Sequence, residues 1–220
     1  LKHYEHDSLK LEAAKFLIRN MPHCYSYQQG GEMDSVKRVR TYYSPFGQID
    51  QTYARRWGHY TYRNLPKIYD AHIITAEYLI DNIDRAFDNW QKRPWNRSLS
   101  FEDFCEYLLP YRIGDEPLEE WRELYEKKYG YLLDSIYKGG DVVEAANLVS
   151  RHLQEPVFIY CEDFELPHIG PRYLFSHRYG SCVDAADIVT YAFRAVGIPC
   201  MEDTDARGGH VWNVVRDTTG

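Results

Sequence analysis

Apolar residues recur at helical spacing along most of this chain and change to a period of two only near its end. Leu9, Leu11, Ala13, Ala14, Phe16, Leu17 and Ile18 predict an amphipathic helix that ends before Pro22. Residues 65–90 carry Ile73, Ile74, Tyr78, Leu79, Ile83 and Phe87 at the same spacing and predict a long second helix. Ser100-Phe101-Glu102-Asp103 has the form of a capping box, opening a third helix through Phe104, Tyr107 and Leu108 to Pro110. Residues 116–137 and 142–153 predict two more, the latter begun by Asp141 after Gly139-Gly140. Residues 29–58, rich in glycine, tyrosine and arginine, are less regular and read as a loop-rich insert.

The last stretch is the most ordered in pattern. From Cys182, apolar or small residues fall at 182, 185, 186, 189, 192, 193 and 196, with Asp184, Asp187 and Arg194 off that stripe. Gly197-Ile198-Pro199 stops this helix. Residues 200–203 then predict a short strand, 204–209 a polar loop and 210–215 a second strand. On the second strand His210, Trp212 and Val214 share one face, and Val211, Asn213 and Val215 the other.

This arrangement suggests chemistry. Cys182 falls in the first helical turn, where unpaired backbone N–H groups and the helix dipole favour a thiolate. Gly180 permits a close approach and Ser181 suits the N-cap. A helix followed by an adjacent hairpin can bring position 182 beside position 210, where the imidazole can take the thiol proton. A cysteine at the start of an apolar helix is more often buried filler, and a histidine beside a glycine pair more often a loop residue. The ordered combination of glycine, cap, cysteine, helix, Gly-Ile-Pro stop and Gly-Gly-His-x-Trp is what singles the two out.

Gly-x-Cys-x-Asp-x-Ala at 180–186, Ala-Val-Gly-Ile-Pro at 195–199 and His-x-Trp-Asn at 210–213 resemble the transglutaminase-like core of the papain-like thiol superfamily. Residues 16–22 and 104–112 look similar to secreted transglutaminase-like proteins of Bacteroidetes-type bacteria. The resemblance implies an α+β fold: a helical N-terminal region over 1–115, then over 116–220 a partial core with the cysteine helix packed on an antiparallel sheet. It implies Cys182 as nucleophile and His210 as base in a Cys-His-Asp triad. The third member normally lies on the strand after the histidine; Asp217 is too close and suits an Asp-Thr-Thr-Gly turn, so the aspartate is expected beyond Gly220. Papain-type peptidases fit poorly, since their histidine lies about 130–150 residues after the cysteine.

The implied reaction is thiol-dependent amide hydrolysis or acyl transfer on a peptide or protein substrate, a glycopeptide included, with hydrolysis favoured. The alternative is a catalytically silent module that binds peptide or glycan. A net charge of −7 without a basic patch argues against nucleic acid as a partner. No apolar run spans a membrane, and a secreted or cell-envelope location follows from the resemblance alone. Five cysteines show no C-x-x-C pair and no zinc spacing, so neither metal nor cofactor is expected. The 20 tyrosines suit either an aromatic cleft or a helical interface. Arg112 reads as a carboxylate clamp or, more commonly, a surface residue at a helix end; Trp212 as part of an acyl-binding slot or, first of all, core; Asp184 as a group that tunes the thiol or, more often, a helix-stabilising first-turn carboxylate. His177 and Arg178 are candidate donors to an oxyanion, with the Cys182 N–H the stronger one.

Overall fold

Helix α1 (Ser8–Asn20) opens where the Asp7 carboxylate accepts the Lys10 N–H at 3.0 Å. Its buried stripe is Ala13, Ala14 and Leu17, and Pro22 lies in the single 3-10 turn Met21–His23 that ends it. The computed structural model describes residues 1–43, 61–155, 158–160 and 166–217. After strand β1 (Tyr25–Tyr27), part of the segment read as loop is helix α2 (Gly31–Tyr43). Among its described side chains Met33 and Val36 are buried. Residues 44–58 of the expected loop lie outside the described residues.

The long helix expected over 65–90 is shorter, and proline and a cap explain why. Pro66 disfavours helix at Leu65, and β2 (Lys67–Tyr69) pairs antiparallel with β1 in the register Tyr25↔Tyr69. A single turn, α3 (Asp70–Ile73), follows. Thr75 Oγ1 then accepts the Tyr78 N–H and starts α4 (Ala76–Lys92), which buries Ile83, Ala86 and Phe87. Helix α5 (Phe101–Tyr107) begins at Ser100 as expected, its hydroxyl accepting the Asp103 N–H at 3.0 Å.

Helix α6 (Arg122–Tyr131) starts later than position 116. The Glu116 carboxylate folds back to accept the N–H groups of Ile113 and Gly114, both at 2.8 Å, which makes a turn there instead. A π-helical turn, Leu132–Ile136, closes this segment. Helix α7 (Val142–Leu153) is capped by Asp141, which accepts from the N–H groups of Val143 and Glu144. Strand β3 (Ile159–Tyr160) pairs in parallel with β4 (Tyr179–Gly180), with α8 (Pro171–Ser176) between them. Helix α9 (Cys182–Val196) leads into the antiparallel hairpin of β5 (Cys200–Thr204) and β6 (Val211–Val215), in which Cys200 faces Val215 and Glu202 faces Asn213. The class is α+β, with helices dominating and the described strands forming three separate pairs.

Among the described residues two large buried clusters result, with a small third of Tyr27, Met33 and Tyr62. One of the large two gathers α1, α4 and α5 around Leu17, Ile83, Phe87, Phe104 and Leu108. The other surrounds α9 with Trp121, Tyr125, Tyr129, Val149, Tyr191 and Val196, and Trp95 reaches into it from the N-terminal half. Tyr125, Tyr129 and Tyr191 are among the largest wholly enclosed side chains, so these tyrosines fill a helical interface. Buried arginines join the halves by capping carbonyls. Arg122 donates to Leu108, Leu109 and Pro110, Arg93 to Val196 and Leu133, and Arg194 to Tyr107, Arg112 and Cys200.

Candidate functional site

The head of α9 is built by its own first turn. Asp184 curls back so that its Oδ2 accepts from the Ser181 N–H at 2.8 Å and the Ser181 hydroxyl at 3.1 Å, which fixes the entry of the chain. Asp184 is thereby buried as a helix-stabilising group, the commoner of the two roles its position allowed. A Cβ on Gly180 would collide with the Asp184 carboxylate, so the turn before the cysteine needs glycine for space. Cys182 leads the helix with its side chain half-buried, whereas Cys105 and Cys200 are buried. Burial pushes the thiols of those two up, to about 12 and about 11.

His210 stands just before β6 and is exposed, its ring centroid 6.0 Å from that of Trp212. Asn213 Nδ2 donates to the Ala186 carbonyl at 3.0 Å and to Thr190 Oγ1 at 2.8 Å, so the 211-213-215 face of β6 meets α9. Alternation puts Trp212 on the opposite face, 39% exposed rather than in the core, and His210 follows Trp212. The two ends nevertheless adjoin: Val183 and Val211, the residues after Cys182 and His210, line one cavity of about 400 Å³. Among the described residues no hydrogen bond links Cys182 to His210.

A histidine that the sequence did not single out occupies the adjoining wall. His168 Nδ1 lies 2.8 and 2.9 Å from the two carboxylate oxygens of Asp187, a group of α9 with no solvent exposure, and donates to them. The Asp187 carboxylate pushes the Glu202 carboxyl toward its neutral form, Thr190 Oγ1 donates to Glu202 Oε1 at 3.0 Å, and Asn213 donates to Thr190. This is a connected polar network inside the α9 face. Burial lowers the His168 imidazolium's stability, but Asp187 outweighs it and pushes the ring up to about 10. His168 lines the 400 Å³ cavity and also a second of about 190 Å³, walled by Ser181, Val183, Asp184, Asp115 and Tyr62. The 400 Å³ cavity shares Glu106, Ile113 and Met201 with a larger groove of about 740 Å³ beside α1.

Other candidates have structural duties. Arg112 is buried and pairs with Asp70 and the Glu116 carbonyl, so it is neither a surface residue nor free to clamp a substrate. Arg178 is buried, donating to the Leu153 carbonyl and the Tyr129 hydroxyl. His177 stacks on Tyr173 with ring centroids 4.4 Å apart. Among the described residues no group of three or more His, Cys, Asp or Glu side chains is placed to hold a metal ion, and no helix is long and apolar enough to cross a membrane. No protein-family model, no curated protein and no solved structure matches this chain.

Proposed function

We propose that the chain carries out thiol-dependent amide chemistry of the transglutaminase-like kind, with Cys182 as nucleophile and His210 as its base. One observation carries this reading: a half-exposed thiol leads a capped helix whose next residue, Val183, shares a cavity wall with Val211, the residue after His210. His210 takes the thiol proton, and the sulfur adds to the substrate carbonyl carbon. The tetrahedral adduct collapses, the C–N bond breaks, and the leaving amine takes the proton back from the imidazolium. Water then attacks the thioester, giving a carboxylic acid and the free thiol; an amine in its place gives acyl transfer. The groove beside α1, continuous in its lining with the α9 cavity, suits an extended peptide as substrate.

The outward placement of His210 beside Trp212 favours a second reading, a silent module that binds peptide or glycan without turnover. Iodoacetamide labelling followed by peptide mass spectrometry separates the two. Near pH 7 the first reading expects Cys182 to label at least about tenfold faster than the same cysteine in the urea-unfolded chain, and His210→Ala to abolish the advantage. A Cys182 that labels no faster than in the unfolded chain supports the silent module.

A further inference from the structure

We propose that the free edge of β5 takes an extended peptide as an added strand, with a basic side chain of that peptide held against Glu106 and Asp203. This deepens the peptide-cleft part of the reading above and rests on it for what becomes of the bound peptide; the binding itself needs no thiol.

The ladder shows which backbone groups are open. Among the described residues β5 pairs with β6 alone. The Asp205 N–H donates to the His210 carbonyl at 3.1 Å and the Arg216 N–H to the Pro199 carbonyl at 2.9 Å, which sets the phase of the bonds between them. Residues 199, 201, 203 and 205 therefore turn their backbone groups toward β6, while Cys200, Glu202 and Thr204 turn theirs away. Side chains already take two of the outward groups: Arg194 Nε donates to the Cys200 carbonyl at 3.0 Å, and the Thr204 N–H donates to Asp203 Oδ1 at 2.8 Å. The Glu202 N–H and carbonyl lie between these two, and the Thr204 carbonyl just past them. Among the described residues none of the three has a backbone partner outside the hairpin. An unpaired donor and acceptors of this kind are a template for another strand.

These groups open onto space. Met201, Glu202, Asp203 and Thr204 all line the cavity of about 400 Å³, and a cavity that touches successive residues of one strand runs along its edge rather than over one face. Glu106 and Ile113 also line it and carry the trough on into the groove of about 740 Å³ beside α1, so a chain laid along β5 has room to continue.

The charge of the trough selects the peptide. Its cations are spent inward: Arg194 donates to the carbonyls of Tyr107, Arg112 and Cys200, and His168 Nδ1 donates to Asp187. Glu202 also points inward, its Oε1 accepting from Thr190. Glu106 and Asp203 are exposed, and among the described residues neither pairs with a cation. An open backbone edge flanked by two uncommitted carboxylates and by the apolar Ile113, Met201 and Val211 fits a strand of mixed basic and apolar side chains, and repels an acidic one.

The probe is fluorescein-labelled Gly-Thr-Val-Arg-Val-Thr-Gly amide, followed by fluorescence anisotropy on the intact chain. Single N-methyl groups moved along the peptide should weaken binding with a period of two, by about fivefold or more where the N–H faces β5 and by less than about twofold between. Glutamate in place of the arginine should weaken it by about fivefold or more. Glu106→Gln, at an exposed side chain, should weaken the arginine peptide about two- to fivefold and leave a leucine-bearing analogue unchanged. No saturable binding up to about 1 mM, losses at every N-methyl position or at none, or equal affinity for the arginine and glutamate peptides would overturn the inference. So would a dimer in sedimentation that the peptide does not dissociate, since a second copy would then hold the edge. Iodoacetamide labelling of Cys182 is scored separately. Fast labelling with failed binding sinks this inference alone, and period-two binding with slow labelling sinks the thiol reading alone.

Discussion

Asn213 donates its side-chain amide to the Ala186 carbonyl at 3.0 Å, and this bond fixes which face of β6 lies on α9. A strand whose two faces are both partly apolar has little else to choose between them. The same amide donates to Thr190 at 2.8 Å and more weakly to Cys200 Sγ at 3.8 Å, so Asn213→Ala removes three partly buried hydrogen bonds at once. The expected cost is about 1–3 kcal/mol, seen as a lower urea midpoint at unchanged slope. An unaltered midpoint would mean that the hairpin register is set by other contacts.

Gly197 ends α9 in the left-handed region at φ +82°, and its carbonyl accepts from Trp95 Nε1 and Asn96 Nδ2, both at 2.9 Å. The turn is thus also the joint between α9 and the segment that follows α4. A Cβ at this position would sit 2.7 Å from the Asn89 carbonyl oxygen as well as in an unfavourable backbone region. Gly197→Ala is expected to destabilise the chain by about 1–3 kcal/mol in thermal or urea unfolding. A change below about 0.5 kcal/mol, the range of ordinary surface substitutions, would show that the joint yields freely.

The helix from Cys182 and its stop at Gly197 were legible because cap, period and terminator all agreed, as they were for α7 behind Asp141. The inward face of β6 was not legible. Val211 and Val215 oppose Trp212 and Val214 with similar apolarity, and the choice comes from Asn213 bonding to α9, a tertiary contact. His168 was missed for a related reason. It lies in a loop, and its partner Asp187 reads as polar surface on a helix that proves to be buried nearly all round. A carboxylate within a helix of that apolarity was the available signal, since such a group must find a cation or a proton.

Arg112 and Asp70 form a buried ion pair, their side chains 6% and 0% exposed. Tyr111 adds its hydroxyl to Asp70 at 3.0 Å, and Arg112 also binds the Glu116 carbonyl. Removing one partner leaves the other charged and enclosed, so Arg112→Met should cost about 3–5 kcal/mol. The loss should appear in unfolding midpoints with any substrate absent, as expected for a structural arginine. A variant of normal stability but weakened substrate binding would instead restore the clamp role.

Glu202 sets the pH behaviour of the network. Burial, reinforced by the Asp187 carboxylate, pushes its carboxyl up from the usual range to about 9, while Asp187 holds the His168 imidazolium to about 10. Both groups bind protons more tightly in the folded chain than in the unfolded one. Their contributions are complete below their unfolded values, about 4.3 for Glu and about 6.5 for His, and are lost as pH rises through about 9 and about 10. Glu202→Gln keeps an acceptor for Thr190 but has nothing to titrate. The melting temperature of the variant minus that of the wild type should therefore increase steadily between pH 6 and pH 9, as the wild type alone surrenders the Glu202 proton. Parallel curves across that window would mean that Glu202 is already ionised at neutral pH and that the Asp187 carboxylate takes no proton from it.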